Sequence, residues 1–123
     1  MAVKSMDFIK HIDLAHMYKT RLKHCTYLYD KLSSLNDVRL IGRVSSESTL
    51  YFPILVEQQS SVQKKLAERG IYAPVIWPIP KLAQGVCKIA DDIANHMLGI
   101  PCDHRYTHEE IKKMAHIITE VVQ

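Results

Sequence analysis

The sequence has little of what marks secreted, membrane-spanning or self-contained catalytic chains. Its three cysteines, Cys25, Cys87 and Cys102, are an odd, widely spaced set without a CxxC pair, which argues against a disulfide framework. No apolar run approaches the roughly 20 residues that cross a bilayer. Met1–Lys10 mixes polar and charged residues, unlike a secretory leader. The expected location is a reducing cytoplasm, with the thiols packed as small core hydrophobes. Charge of either sign is also scarce in excess: the net value is only +3. The densest basic group, Lys19, Arg21 and Lys23, alternates with other residues and so spreads over different helix faces. Without a basic stripe interleaved with aromatics, neither nucleic acid nor membrane is an expected partner.

Catalytic signatures are missing as well. The chain has no GxSxG elbow, no GxGxxG, no Walker loop and no zinc signature. Cys102 follows Pro101 and is as well explained by packing as by nucleophilic chemistry, which needs a positioned base. Seven histidines raise the question of a metal. His104 and His108 are four apart, but His104 precedes the expected helix start at Thr107, so the two do not share a helical face. His11 and His16 are five apart, and spacing gives His24 and His96 no partner. No metal site is expected, and no complete active site is readable.

What remains is an ordinary globular composition. The 123 residues are 47% hydrophobic and 24% charged, enough for one domain with a real core. Residues 1–6 read as a cloning remnant or frayed end, and residues 7–123 as a single domain. Apolar residues Leu14, Tyr18, Leu22, Cys25, Leu28, Tyr29 and Leu32 recur at three- and four-residue steps, predicting one long helix from about Asp7 to Leu35. Val38–Val44 reads as a strand, Ser45–Ser48 as a turn, and Thr49–Val56 as the strongest strand, with Pro53 pointing to an edge position or a bulge. Ser60 with Gln63 forms a capping box opening a helix that Gly70 stops. Ile71–Val75 is extended, and Pro74, Pro78 and Pro80 then force a non-regular segment around Trp77. Leu82–Ala94 carries a short helix or two pieces hinged at Gly85, and Met97–Cys102 a last strand. Thr107 with Glu110 is a second capping box, opening an amphipathic helix through Ile111, Met114, Ala115, Ile118 and Val122. The expected fold is α/β of the α+β kind: a two-layer sandwich whose small, mostly antiparallel sheet is packed by helices, with a long N-terminal helix.

Three places read as more than core. Trp77, held between prolines on a stiff loop, suits either a ligand cleft or a hydrophobic plug over the sheet. Arg105, between Asp103 and Tyr106, suits an anion contact or a pairing with Asp103. Tyr72 faces either the loop or the core.

The ordered set of these pieces is more specific than any one of them. Tyr51–Pro80, followed after a spacer by Leu98–Ile118, resembles the C-terminal end of the DegT/DnrJ/StrS-type aminotransferases, pyridoxal-phosphate enzymes of the aspartate-aminotransferase fold that act mostly on nucleotide-linked keto sugars. Leu66, Gly70, Ile71, Trp77, Pro78, Leu98, Pro101, Asp103, Arg105, Tyr106, Glu109 and Glu110 fall into the family pattern. Ile76 departs from it, since some relatives place a histidine directly before the tryptophan. The resemblance implies a small domain that closes over a cleft, with Trp77, Tyr72 and Ile76 as substrate-cleft candidates. Asp103, Arg105 and Tyr106 are then structural or anion-contact candidates. Pyridoxal phosphate would belong to the parent enzyme and sit in a large domain not contained in these residues. That domain is the implied partner, with homodimerisation possible; the 123 residues alone are expected to bind no cofactor and to have no catalytic residue. The alternative is a stand-alone ligand-binding or regulatory module with a pocket lined by Trp77 and Tyr72.

Overall fold

The computed structural model describes residues 3–42 and 49–123. Two helices open the chain, α1 (Val3–Lys10) and α2 (Leu14–Leu32), where the apolar periodicity had predicted one. The break is chemical: the Asp13 side chain accepts a hydrogen bond from the backbone of His16 at 2.9 Å and so caps a new helix instead of continuing the old one. Helix α1 also runs across the Met6–Asp7 boundary suggested by composition. At 1.5 Å per residue, α2 is about 28 Å long. Only its second half is seated, through His24, Cys25, Leu28 and Leu32. Leu14 and Tyr18, from the same apolar stripe, are exposed.

The sheet has three antiparallel strands in the order β1 (Arg39–Leu40), β2 (Tyr51–Leu55), β3 (Met97–Pro101). The expected strand to Val44 is cut to two residues; Val44 and the expected Ser45–Ser48 turn lie outside the described residues. β2 is central, so Pro53 is not on an edge strand. It is tolerated because β1 ends at Leu40, opposite Ile54. Pro53 faces Gly99 in the β3 register, and the Gly99 N–H turns away to the Pro74 carbonyl at 2.9 Å. The Pro53–Gly99 pair is therefore a non-hydrogen-bonded one, and the missing N–H falls where no strand would receive it.

Helix α3 (Gln59–Glu68) starts one residue before the expected Ser60 cap, and no side chain caps it. Gln59 decides this: its amide donates to the carbonyls of Ala94 (3.0 Å) and Met97 (2.7 Å), drawing the first turn onto the end of helix α4 (Lys88–His96). Gln63 is likewise diverted, donating to the Ala73 carbonyl at 2.8 Å. Gly70, at φ +83°, ends α3 as expected, and Ile71 N–H returns to the Leu66 carbonyl at 2.9 Å. Ile71–Val75 is extended but is not a strand; Pro74 has no N–H with which to continue a ladder on β3. Leu82–Ala94 resolves into two pieces, a single 3-10 turn (Lys81–Ala83) and α4, with Gly85 between them at φ +84°.

Helix α5 (His108–Val122) opens with the predicted capping box. Thr107 Oγ1 accepts from the Glu110 N–H at 3.2 Å, and the Glu110 carboxylate accepts from the Thr107 N–H at 2.7 Å. Its apolar face, Ile111, Ala115 and Ile118, joins Leu28 and Leu32 of α2, Leu66 of α3, and Ile54, Leu98 and Ile100 of the sheet in one core. All of these are buried, and their burial is the main force holding the helical layer to the sheet. The α+β sandwich read from the sequence is the fold observed.

Candidate functional site

The extended segment 71–76 runs outside β3, tied to it by the hydrogen bond from the Gly99 N–H to the Pro74 carbonyl. Ile71 and Ala73 turn inward and are buried, the alternation of an extended segment. Tyr72, between them, is 76% exposed. Ile76 is half-buried, because its side chain occupies the space where β3 has no side chain at Gly99. A Cβ added at Gly99 would overlap Ile76 Cδ1 and lie 3.1 Å from Ile76 Cγ1 and 3.2 Å from Tyr51 Cβ. Gly99 thus seats Ile76, and Ile76 seats the next residue, Trp77.

Trp77 has φ +59°, the left-handed region, as the one non-glycine residue at positive φ among the described residues. Its ring is 83% exposed. The plug reading is therefore overturned: the ring does not cover the sheet. Downstream, Leu82, Val86 and Ile89 are also exposed, each by more than 70%. Five large apolar side chains within eighteen residues, Tyr72 to Ile89, thus stand in water on one continuous stretch. Isolated exposed apolar residues are ordinary, whereas five along one segment are more than such scatter.

Trp77 does not line the groove to which Tyr72 contributes. A groove of about 500 Å³ between α3 and the 72–74 segment is lined by Tyr51, Ser60, Gln63, Lys64, Ala67, Tyr72, Ala73 and Pro74; Trp77 and Ile76 lie outside it. Gln63 is already engaged with the Ala73 carbonyl.

Asp103, Arg105 and Tyr106 form a separate, structural knot. The Asp103 carboxylate is buried and accepts from Arg105 three ways: the backbone N–H at 2.8 Å, Nε at 3.1 Å and Nη2 at 2.6 Å. The Arg105 guanidinium beside it holds the Asp103 carboxyl below the usual carboxylate range. Tyr106 N–H donates to the Asp103 carbonyl at 3.3 Å, and its side chain packs against the core. Between anion contact and internal pairing, the geometry is that of internal pairing, with the bidentate fork of Arg105 satisfied within the chain.

Sequence reasoning missed a buried polar centre behind this knot. His24 is 1% exposed, and its Nδ1 lies 3.3 Å from the Cys102 carbonyl and 3.2 Å from that of Asp103. Both neighbours are acceptors, so Nδ1 carries the proton. Beside it, Cys25 Sγ and Cys102 Sγ are 3.7 Å apart, with Thr49 Oγ1 at 3.3 Å and 3.8 Å. The hydrogen bond with Cys102 lowers the Cys25 thiol to about 6 against the opposing effect of burial. The same bond and burial push Cys102 up. The one sequence signal was the long-range recurrence of cysteines, which carries no pairing information. Cys87, also expected in the core, is exposed at the start of α4.

The residues do not fit a pyridoxal-phosphate pocket. Every lysine of the chain is exposed, so none is enclosed as a Schiff-base lysine must be, and the buried Asp103 carboxylate is committed to Arg105. Among the described residues no group of three or more His, Cys, Asp or Glu is placed to hold a metal. No helix there is long and apolar enough to cross a membrane.

Comparison with solved structures places this fold among aminotransferases. It superposes on the sugar aminotransferase CalS13 from Micromonospora echinospora with a TM-score of 0.78 at 14% identity, covering 88% of this chain and 31% of that one. DesV from S. venezuelae, solved in complex with a ketimine intermediate, gives 0.78 at 17% identity over 89% and 34%. NtdA from Bacillus subtilis, solved with bound cofactor PMP, gives 0.72 at 23% identity over 89% and 29%. The chain therefore spans about a third of each of these proteins. No curated protein matches it by sequence. The model of the DegT/DnrJ/EryC1/StrS aminotransferases matches residues 8–119, nearly the whole sequence, and the chain belongs to that family.

Proposed function

We propose that this chain serves as the small C-terminal domain of a pyridoxal-phosphate aminotransferase acting on nucleotide-linked keto sugars with an amino-acid donor, and that alone it is inactive. The observation that carries the reading is the exposure of every lysine, which leaves no enclosed amine for the cofactor aldehyde. Coverage of only about a third of the solved relatives supports it. In this reading the cofactor lies in a large domain, and the Tyr72–Ile89 face closes against that domain, excluding water from the cleft. Ile76 and Trp77, supported by Gly99, form the part nearest the substrate. Left uncovered, the same face drives self-association into a homodimer or larger species. The setting is cytoplasmic.

The test is reductive trapping. The purified chain is mixed with pyridoxal phosphate, reduced with borohydride and mapped by peptide mass spectrometry. Scattered, substoichiometric labelling of surface lysines is expected. One lysine labelled to a full equivalent would overturn the reading.

A second reading rests on the groove beside Tyr51, Lys64 and Tyr72: a stand-alone module binding a small ligand there. Thermal-shift screening of amino acids and nucleotide sugars separates the two. A saturable shift abolished by Tyr72→Ala supports the module, and a flat response supports the domain reading.

A further inference from the structure

We propose that Cys25 and Cys102 are a modification site: a dithiol that an oxidant of the peroxide class converts to a buried disulfide, clamping α2 to the segment after β3. Neither the fold nor the proposed activity requires the two sulfurs to meet. They come from positions 77 residues apart, one on the seated half of α2 and one just past the end of β3. Their separation of 3.7 Å leaves roughly 1.7 Å of closure to reach a covalent S–S distance. Core hydrophobes would fill this place equally well. Instead the pair sits in a polar setting: Thr49 Oγ1 touches both sulfurs, Cys102 Sγ lies 3.6 Å from the Thr49 carbonyl and 3.7 Å from that of Leu50, and the His24 ring adjoins.

The arrangement assigns different roles to the two thiols. Cys102 has the Thr49 and Leu50 carbonyls as acceptors for its S–H and so keeps its proton, and Cys25, whose thiol is lowered while that of Cys102 is raised, is the member that ionises. The Cys25 thiolate attacks one oxygen of hydrogen peroxide, breaking the O–O bond; Cys25 becomes a sulfenic acid and hydroxide leaves. Cys102 then attacks the Cys25 sulfur, breaking its S–O bond, and the second hydroxide departs. The proton from Cys102 and that lost by Cys25 on ionisation complete two waters. Two thiols are oxidised to one disulfide as one peroxide is reduced to two waters. Burial, at 2% and 0% exposure, restricts the reaction to a small oxidant and keeps bulky disulfide reagents away.

The exposed Cys87 would compete by forming intermolecular disulfides, so the test uses the full chain carrying Cys87→Ser. The folded protein is treated with hydrogen peroxide, quenched, alkylated under denaturing conditions and digested without reduction. A Cys25–Cys102 linked peptide is expected, lighter by about 2 Da than the sum of its reduced halves. With a closed loop of this length, Tm should rise by about 10 °C and return on addition of dithiothreitol. In a Cys102→Ala chain, Cys25 should instead stop at its sulfenic acid, trapped by dimedone added together with the denaturant after the peroxide is quenched; if that variant does not fold, the Cys87→Ser experiment decides alone. Two free thiols recovered after peroxide, oxygen added to one sulfur without a cross-link, or a cross-link that lowers Tm would each overturn the proposal.

Discussion

Replacing Trp77 by glycine should leave the stability of this domain almost unchanged, although tryptophan loss normally ranks among the most damaging of substitutions. The ring is 83% exposed, so about 40 Å² of it is covered, contributing about 1 kcal/mol at roughly 25 cal/mol per Å². Against that stands the backbone: Trp77 sits at φ +59°, a conformation that costs a residue with a Cβ about 1–2 kcal/mol. Glycine relieves this strain while adding about 0.4–1 kcal/mol of unfolded-state entropy to be overcome. These effects nearly cancel, so Trp77→Gly should lie within about 1 kcal/mol of the unsubstituted chain, where a core tryptophan would lose about 3–5 kcal/mol. Trp77→Ala loses the same contacts without relieving the strain and should be less stable than Trp77→Gly. Urea unfolding followed by far-ultraviolet circular dichroism provides the measurement, because Trp77 is the lone tryptophan and its fluorescence is lost in both variants. A loss of 3 kcal/mol or more in Trp77→Gly, or alanine proving more stable than glycine, would refute the reasoning. The ring would then be packed into this fold and not reserved for another surface.

Gly99→Ala should cost about 1–3 kcal/mol by overpacking, since its Cβ overlaps Ile76 and approaches Tyr51 Cβ. Adding Ile76→Ala should recover part of that loss, and a strictly additive double-mutant cycle would show that the contact is not made. Asp103→Asn should destabilise by about 1–3 kcal/mol, because a buried acceptor of charge-assisted bonds is weakened. The folded-state Asp103 carboxyl is held below its unfolded value by Arg105. Its contribution is therefore complete above the ordinary carboxylate range and is lost as pH falls through the lowered folded value. Denaturation midpoints at neutral and acidic pH should thus converge between Asp103→Asn and the parent chain; an unchanged gap at low pH would contradict this.

How much of this was legible follows from which interactions are local. The α5 capping box needs only Thr107 and Glu110, three residues apart, and the sequence displayed it. Gly70 and Gly85 likewise mark turns through their own backbone freedom. The Ser60 box had the right spacing and still failed, because Gln59 and Gln63 are claimed by carbonyls of Ala94, Met97 and Ala73 that no local pattern reveals. The α1–α2 break was hidden for a different reason. Asp13 fits inside an apolar period as readily as at its start, and only its hydrogen bond to His16 shows which role it takes. For the site, the proline-flanked position of Trp77 was readable, and so was its candidacy for a contact surface. Its left-handed backbone and its separation from the Tyr72 groove were not, since both depend on how Ile76 fits over Gly99 across the sheet edge. The Cys25–Thr49–Cys102 centre is the extreme case, assembled wholly from long-range neighbours.

The central claim is that these residues do not themselves carry out amino transfer. The most direct measurement is the rate at which the purified 123-residue chain, supplied with pyridoxal phosphate and L-glutamate, releases 2-oxoglutarate. The expected rate is that of the free cofactor, independent of the chain's concentration. A rate that rises in proportion to the chain, saturates with glutamate and disappears on replacing one lysine would contradict the account.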